Sequence, residues 1–286
     1  MACRLFSIKS LFFFWILIFS QQFSKAQFFQ GTQMSFGKNR VQYNNFFWNF
    51  YRFEEFDTYF YTGGQELAAF TGKTGKEELA SLEKILDYKL DGRIQFIIYN
   101  RLSDLKQSNI GLETEEVINV GGLTRIVGTK VFIYNSGTHD DLRRQIRAGI
   151  AEVMINQIMF GGDFKDRVQN SAMLVLPDWY FYGLISYLST PWNTDFDNKM
   201  RDGINTEKFK KFNRLVGEDA AIAGHSMWMY LAETYGESTI PNVLFMTKSG
   251  RNIDNGYLFV YGVSLKNLSK NWFTHYYKKY SDDDLS

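Results

Sequence analysis

Apolar residues recur along this chain with two periods, and the change from one to the other lays out its elements. Phe, Tyr and Trp dominate from Phe46 to Tyr61, and Phe56, Tyr59 and Tyr61 among β-forming neighbours predict a strand running to the Gly63-Gly64 break. From Gln65 to Leu90 the apolar positions Leu67, Phe70, Leu79, Leu82, Ile85, Leu86 and Leu90 fall at helical spacing, with Gly72 and Gly75 as expected interruptions. Asp91-Gly92 then turns the chain into a buried strand over 93–99. Two further β runs, 117–120 and 123–134, carry Gly121-Gly122 and Gly128-Thr129 as turn or bulge signals.

Beyond residue 138 the period is helical. Thr138 is placed to cap a helix from His139 to about Phe160, where Leu142, Ile146, Ile150, Val153 and Ile158 repeat every three or four residues until Gly161-Gly162. Pro177 fits the first turn of a second helix reaching about Leu188, and further helical segments are predicted near 206–213, 220–235, 239–247 and 264–280. Strands first and helices later indicate an α+β fold: a sheet-containing lobe over about 43–160 and a helical lobe over about 161–281.

The N-terminus changes the picture of where the chain works. Arg4 and Lys9 precede an unbroken apolar run from Leu11 to Phe19, and Ser24 and Ala26 supply small residues before Gln27, so residues 1–26 read as a signal peptide and 27–286 as the mature domain. The run is shorter than the ~20 residues needed to span a bilayer, and no later apolar stretch approaches that length, so no transmembrane segment is expected after cleavage. The single cysteine, Cys3, falls within the signal, which leaves the mature chain without disulfides, thiolate ligands or a cysteine nucleophile. A formal charge of +1 gives no long-range field to draw in nucleic acid, and aromatic residues at 17% with three prolines argue for a folded domain.

Local motifs add little chemistry. Thr71-Gly72-Lys73-Thr74 resembles the end of a phosphate loop, but Leu67 stands where its first glycine belongs and the stretch sits in a helical pattern. His139, His225 and His275 are too far apart in sequence to pair on one helix face. Ser226 adjoins His225, but adjacent side chains on a helix diverge by about 100° and no Gly-x-Ser-x-Gly elbow exists. Asp140-Asp141 at a helix start complement the helix dipole.

Several segments taken in order resemble the peptidase-MA-like (gluzincin-like) zinc peptidases, in particular the exported domain that precedes a TolB-like β-propeller in envelope proteins of the Bacteroidetes type. They are residues 36–43 and 56–61, Asn135-Ser136-Gly137 leading into the 139–160 helix, Pro177-Asp178-Trp179-Tyr180-Phe181-Tyr182-Gly183-Leu184, the 223–236 helix and the closing 259–265 stretch. The resemblance implies a zincin-like arrangement: a small mixed sheet with an N-terminal helix, a central helix that in active relatives carries His-Glu-x-x-His, and a helical C-terminal lobe. Laid onto this chain the motif positions are Ala148, Gly149 and Glu152, and the third ligand becomes Tyr182. Both imidazoles, the general base and the third ligand are therefore missing, so the resemblance implies a degenerate member with zinc lost and no cofactor.

The expectation is a non-catalytic, exported pseudopeptidase domain of the periplasm or cell envelope. It would bind an envelope protein or peptide in a cleft drawn from Glu152, Tyr182, Trp179 and Arg125, or act as a scaffold, with no nucleic-acid partner and with peripheral outer-membrane association open. Tyr182 is expected to fill the space a metal would leave, with its hydroxyl reaching Glu152. Two alternatives stand beside it. One is an active metallopeptidase with rebuilt ligands such as Glu152, His139 and Asp140; the other is the N-terminal part of a longer propeller protein.

Overall fold

The computed structural model describes residues 42–108, 125–127, 129–162 and 174–283. The signal segment expected over 1–26, the lead-in to residue 41 and the strand expected over 117–120 lie outside the described residues. What is described is a mixed fold of helices and one small mixed sheet, with strands β1 (Asn49–Arg52), β2 (Phe56–Phe60), β3 (Ile94–Tyr99), β4 (Arg125–Val127) and β5 (Lys130–Tyr134) in the order β1-β2-β3-β5-β4. The three central strands run parallel and both edge strands are antiparallel. A parallel pair needs a crossover, and helix α1 (Gln65–Leu86) supplies it between β2 and β3. Buried on both faces, β3 reads IQFIIY, apolar at every position but the half-buried Gln95.

Gly72 and Gly75 do not interrupt α1, which is continuous. They are its contact points with the sheet side: the Phe53 ring occupies the space a side chain at Gly72 would need, and the Phe56 ring lies 3.4 Å from a methyl placed at Gly75. The aromatic stretch 46–53 divides in two. Phe46 and Trp48 turn toward Tyr61 and Tyr99, with Trp48 at 5.3 and 5.4 Å ring separation, while Phe47 is 79% exposed and Phe50 and Tyr51 are exposed on the edge strand β1.

A short α2 (Leu102–Leu105) precedes β4, and among the described residues after β5 the elements are helical: α3 (His139–Phe160), α4 (Asp178–Ser189), α5 (Thr194–Asn205), a 3₁₀ segment (Lys208–Arg214), α6 (Gly217–Tyr235), α7 (Ile240–Gly250), α8 (Ile253–Tyr261) and α9 (Leu265–Asp283). Thr138 caps α3 as expected, its side chain accepting from the Asp141 amide at 3.3 Å. Besides the one-turn α2, helices α5 and α8 are the ones among the described residues that periodicity did not predict. Each starts at an asparagine cap, Asn193 and Asn252, whose side-chain oxygen accepts an amide three residues on. The largest contact between helices is α4 on α6, where Gly183 meets Gly224 and a methyl on either would overlap the opposing backbone.

Candidate binding cleft

Helix α3 runs through the middle of the fold and presents different faces to different surroundings. Ala148 and Gly149 are sealed in the core, and Glu152 is half-buried. Tyr182, on α4, is also half-buried and stands 5.3 Å from the Phe181 ring. Both Glu152 and Tyr182 have interacting partners. Trp179 stands in the core at 0% exposure, its ring 4.5 Å from Phe212 and its indole N–H donating to Asn213 at 3.0 Å, so it fills the fold instead of lining a cleft. Arg125 opens β4 and pairs in register with Phe132.

The alternative ligand set does not converge. Helix α3 is unbroken from His139 to Phe160, so thirteen residues at 1.5 Å each hold His139 and Glu152 about 20 Å apart. His139 stacks on Phe70 at 4.5 Å. Among the described residues no three His, Cys, Asp or Glu side chains are grouped as a metal would require.

The polar surface lies elsewhere on the same helix. Arg147 and Glu152 are five residues apart, which at about 100° per residue sets them 140° around α3. On the Arg147 side a cleft of about 700 Å³ opens between α1, the first half of α3 and the C-terminal end of α4. Glu77 and Glu78 come from α1, Arg143, Arg144 and Arg147 from α3, and Tyr187 from α4, with residues 188–191 forming the far wall. Glu78, only 4% exposed, is held from two sides: Arg143 Nε donates to Oε1 at 2.5 Å and Arg147 Nη1 donates to Oε2. Arg147 also donates through Nη1 to Ser81 Oγ at 3.1 Å and through Nε to the Leu188 carbonyl. That last bond satisfies a carbonyl that the end of α4 would otherwise leave open. Arg144 pairs with Asp141 at 2.9 Å.

A second cluster is internal. Ser186 Oγ lies 2.8 Å from His225 Nδ1, both buried, with the Tyr187, Trp192 and Phe196 rings 5.8, 5.2 and 5.4 Å from the imidazole. Burial pushes the His225 pKa down to about 4. The neighbouring Ser226 is turned away: it donates to the Ala223 carbonyl and accepts the Trp272 indole at 3.0 Å. No acid is bonded to this imidazole among the described residues, so the pair is a satisfied polar core contact without the third member of a triad.

The arginine cleft was not predicted, yet its signal is present in the sequence. Asp140, Arg143, Arg144 and Arg147 follow i, i+3, i+4 and i+7 spacing, which is one stripe of a helix. The apolar repeat of α3 drew attention to the opposite stripe. Comparison with protein-family models finds no match to this chain, and comparison with characterised proteins finds no similar sequence.

Proposed function

We propose that this chain is an exported, non-catalytic domain of zincin-like architecture that holds a peptide or protein segment, with the arginine-walled cleft as the holding site. The observation that carries the reading is the state of residues 148 and 149. Two imidazoles bind zinc from one accessible helix face together with a third ligand and an open position. Here the first imidazole position and the general-base position offer a methyl group and a hydrogen, both buried, while Glu152 stands at the second imidazole position and Tyr182 at the third-ligand position. A small mixed sheet followed by the packed pair α3 and α4 supports the architecture.

The cleft supports the binding half of the reading. Its volume falls in the ~300–1,000 Å³ range of ligand sites. Its wall carries three guanidinium groups, already ion-paired with Glu77, Glu78 and Asp141, together with carboxylates and a tyrosine, a balanced polar mixture that fits a peptide's backbone and polar side chains.

Elemental analysis of the purified chain, after dialysis against trace zinc, tests the non-catalytic half alongside hydrolysis of an unfolded protein substrate. The expected result is near-zero zinc and no cleavage. One tightly held zinc per chain, released by Glu152→Ala, would overturn the reading and restore a peptidase with rebuilt ligands.

A further inference from the structure

The 3₁₀ segment 208–214 and helix α9 pack together, and up to residue 281, ahead of Asp282 and Asp283 at the helix end, their charged residues are all basic. The segment reads KFKKFNR: Phe209 and Phe212 are buried as anchors, which leaves Lys208, Lys210, Lys211 and Arg214 outside. In α9 the buried positions are Leu265, Leu268, Trp272, Tyr276 and Tyr280. Lys266, Lys270, Phe273 and Tyr277, spaced at four, three and four residues, form another stripe of that helix. Over 208–214 and 265–281 there are eight basic residues and no acid, leaving 24 basic against 31 acidic residues in the rest of the chain.

Some of these cations are spent internally. Lys208 pairs with Asp219 at 2.6 Å, Lys210 with Glu207 at 2.5 Å and Lys279 with Asp197 at 3.6 Å. Among the described residues no ion pair engages Lys211, Arg214, Lys266 or Lys270. A cavity of about 380 Å³ opens here, lined by Lys210, Lys211, Phe212, Asn213, Arg214 and Ser269, with no acid in its wall. Asn213 is oriented from inside the fold. The Trp179 indole can only donate, so the atom facing it is the amide oxygen, and the NH₂ group is turned away from the core as a further donor. Beside the cavity Phe273 and Tyr277 stack at 6.4 Å, with Lys210 5.8 Å from the Phe273 centroid and Tyr277 53% exposed.

We infer that this face docks on an anionic phospholipid bilayer, taking a headgroup phosphate into the basic cavity and setting Phe273 and Tyr277 at the interface. Lysines and an arginine around the exposed Tyr277 ring and the half-buried Phe273 ring match a surface that is both anionic and apolar within a few ångströms of depth. Nucleic acid offers the charge but not the apolar layer, and a net charge of +1 provides no long-range attraction to it. The inference is independent of the metal and cleft readings above.

The test is co-sedimentation of the chain with vesicles of phosphatidylcholine alone and of phosphatidylcholine with one-quarter phosphatidylglycerol. Binding is expected only to the second, and to fall steeply with salt as the screening length shortens. Each exposed cation near a membrane is worth ~1 kcal/mol, roughly fivefold in partition, so Lys211→Ala/Arg214→Ala should weaken binding about 25-fold. Tyr277→Ser should weaken it without changing the salt dependence. Circular dichroism of each variant checks that the fold is intact. The apolar run 11–19 is common to every variant, so the differences isolate this face. Equal binding to both vesicle types, binding unchanged in the double variant, displacement by millimolar inorganic phosphate, or equally tight binding of a single-stranded oligonucleotide would overturn the inference.

Discussion

His225 is surrounded by rings contributed by α4, the 190s loop and α5, and its only hydrogen-bonded side chain among the described residues is Ser186. An imidazole in that setting folds as the neutral species, so its pKa falls from 6.5 to about 4. The sign follows directly: the stabilisation from this group is complete above pH 6.5 and is lost as the pH drops toward 4, because the unfolded chain takes up the proton first. Between pH 7.5 and pH 5 the loss is about 2 kcal/mol, and denaturant titrations at the two pH values measure it. In His225→Gln the same drop in pH should cost about 2 kcal/mol less, and an equal drop in both proteins would show that carboxylates, not His225, set the acid sensitivity. None of this was legible beforehand. A histidine on an apolar helix signals burial only once its neighbours are known, and here they come from residues 186–196, up to 39 positions away. The Ser226 neighbour singled out by sequence adjacency turns away toward α9, where Trp272 finds it.

Elements with a strong single stripe or a cap on their margin were readable, and those whose burial is shared among many partners were not. Helix α3 follows from its apolar repeat and from Thr138, and β3 from a run that is apolar at every position but Gln95. The 123–134 run resolves into β4 and β5 on either side of the Gly128-Thr129 signal. Helix α5 escaped because the short polar sequence TDFDNKMRDGIN buries only one residue in three, leaving too few apolar positions to set a period, and α8 because the nine residues IDNGYLFVY crowd their apolar positions into one end. The α4–α6 crossing was equally hidden, since Gly183 and Gly224 in isolation look like helix-weakening residues. Their purpose is close approach: the two backbones meet where any Cβ would collide with main-chain atoms that cannot rotate away. Gly224→Ala should therefore cost about 3 kcal/mol or more, at the upper end of overpacking, despite alanine's better helix propensity. Chemical denaturation measures the loss. A stabilised Gly224→Ala protein would mean that the helices separate at little cost, and that the crossing does not hold the helical half together.

The whole molecule is divided in sequence between strands and helices, and that division was visible from periodicity alone; how the parts are joined was not. The joint is a set of contacts whose members lie at 77–81, 140–147 and 187–191, three stretches that no local pattern connects. At its centre Glu78 of α1 is nearly enclosed, Arg147 of α3 holds it while reaching the last turn of α4, and Arg143 supports it from the more open side. A buried carboxylate deprived of one partner costs much more than the pair contributes, because the remaining charge has no water to solvate it. Arg147→Met should accordingly destabilise the protein by about 3 kcal/mol, a figure reduced from the fully buried limit because Arg143 remains. Adding Glu78→Leu removes the stranded charge, and the double variant should recover at least half of that loss, measured as a double-mutant cycle by denaturant unfolding. If Arg147→Met were neutral, Arg143 and water would already suffice for Glu78, and the guanidinium of Arg147 would be released for a ligand in the cleft. If the double variant stayed as unstable as the single one, the loss would belong to the Leu188 carbonyl at the end of α4, placing the joint between α3 and α4 and not at the carboxylate.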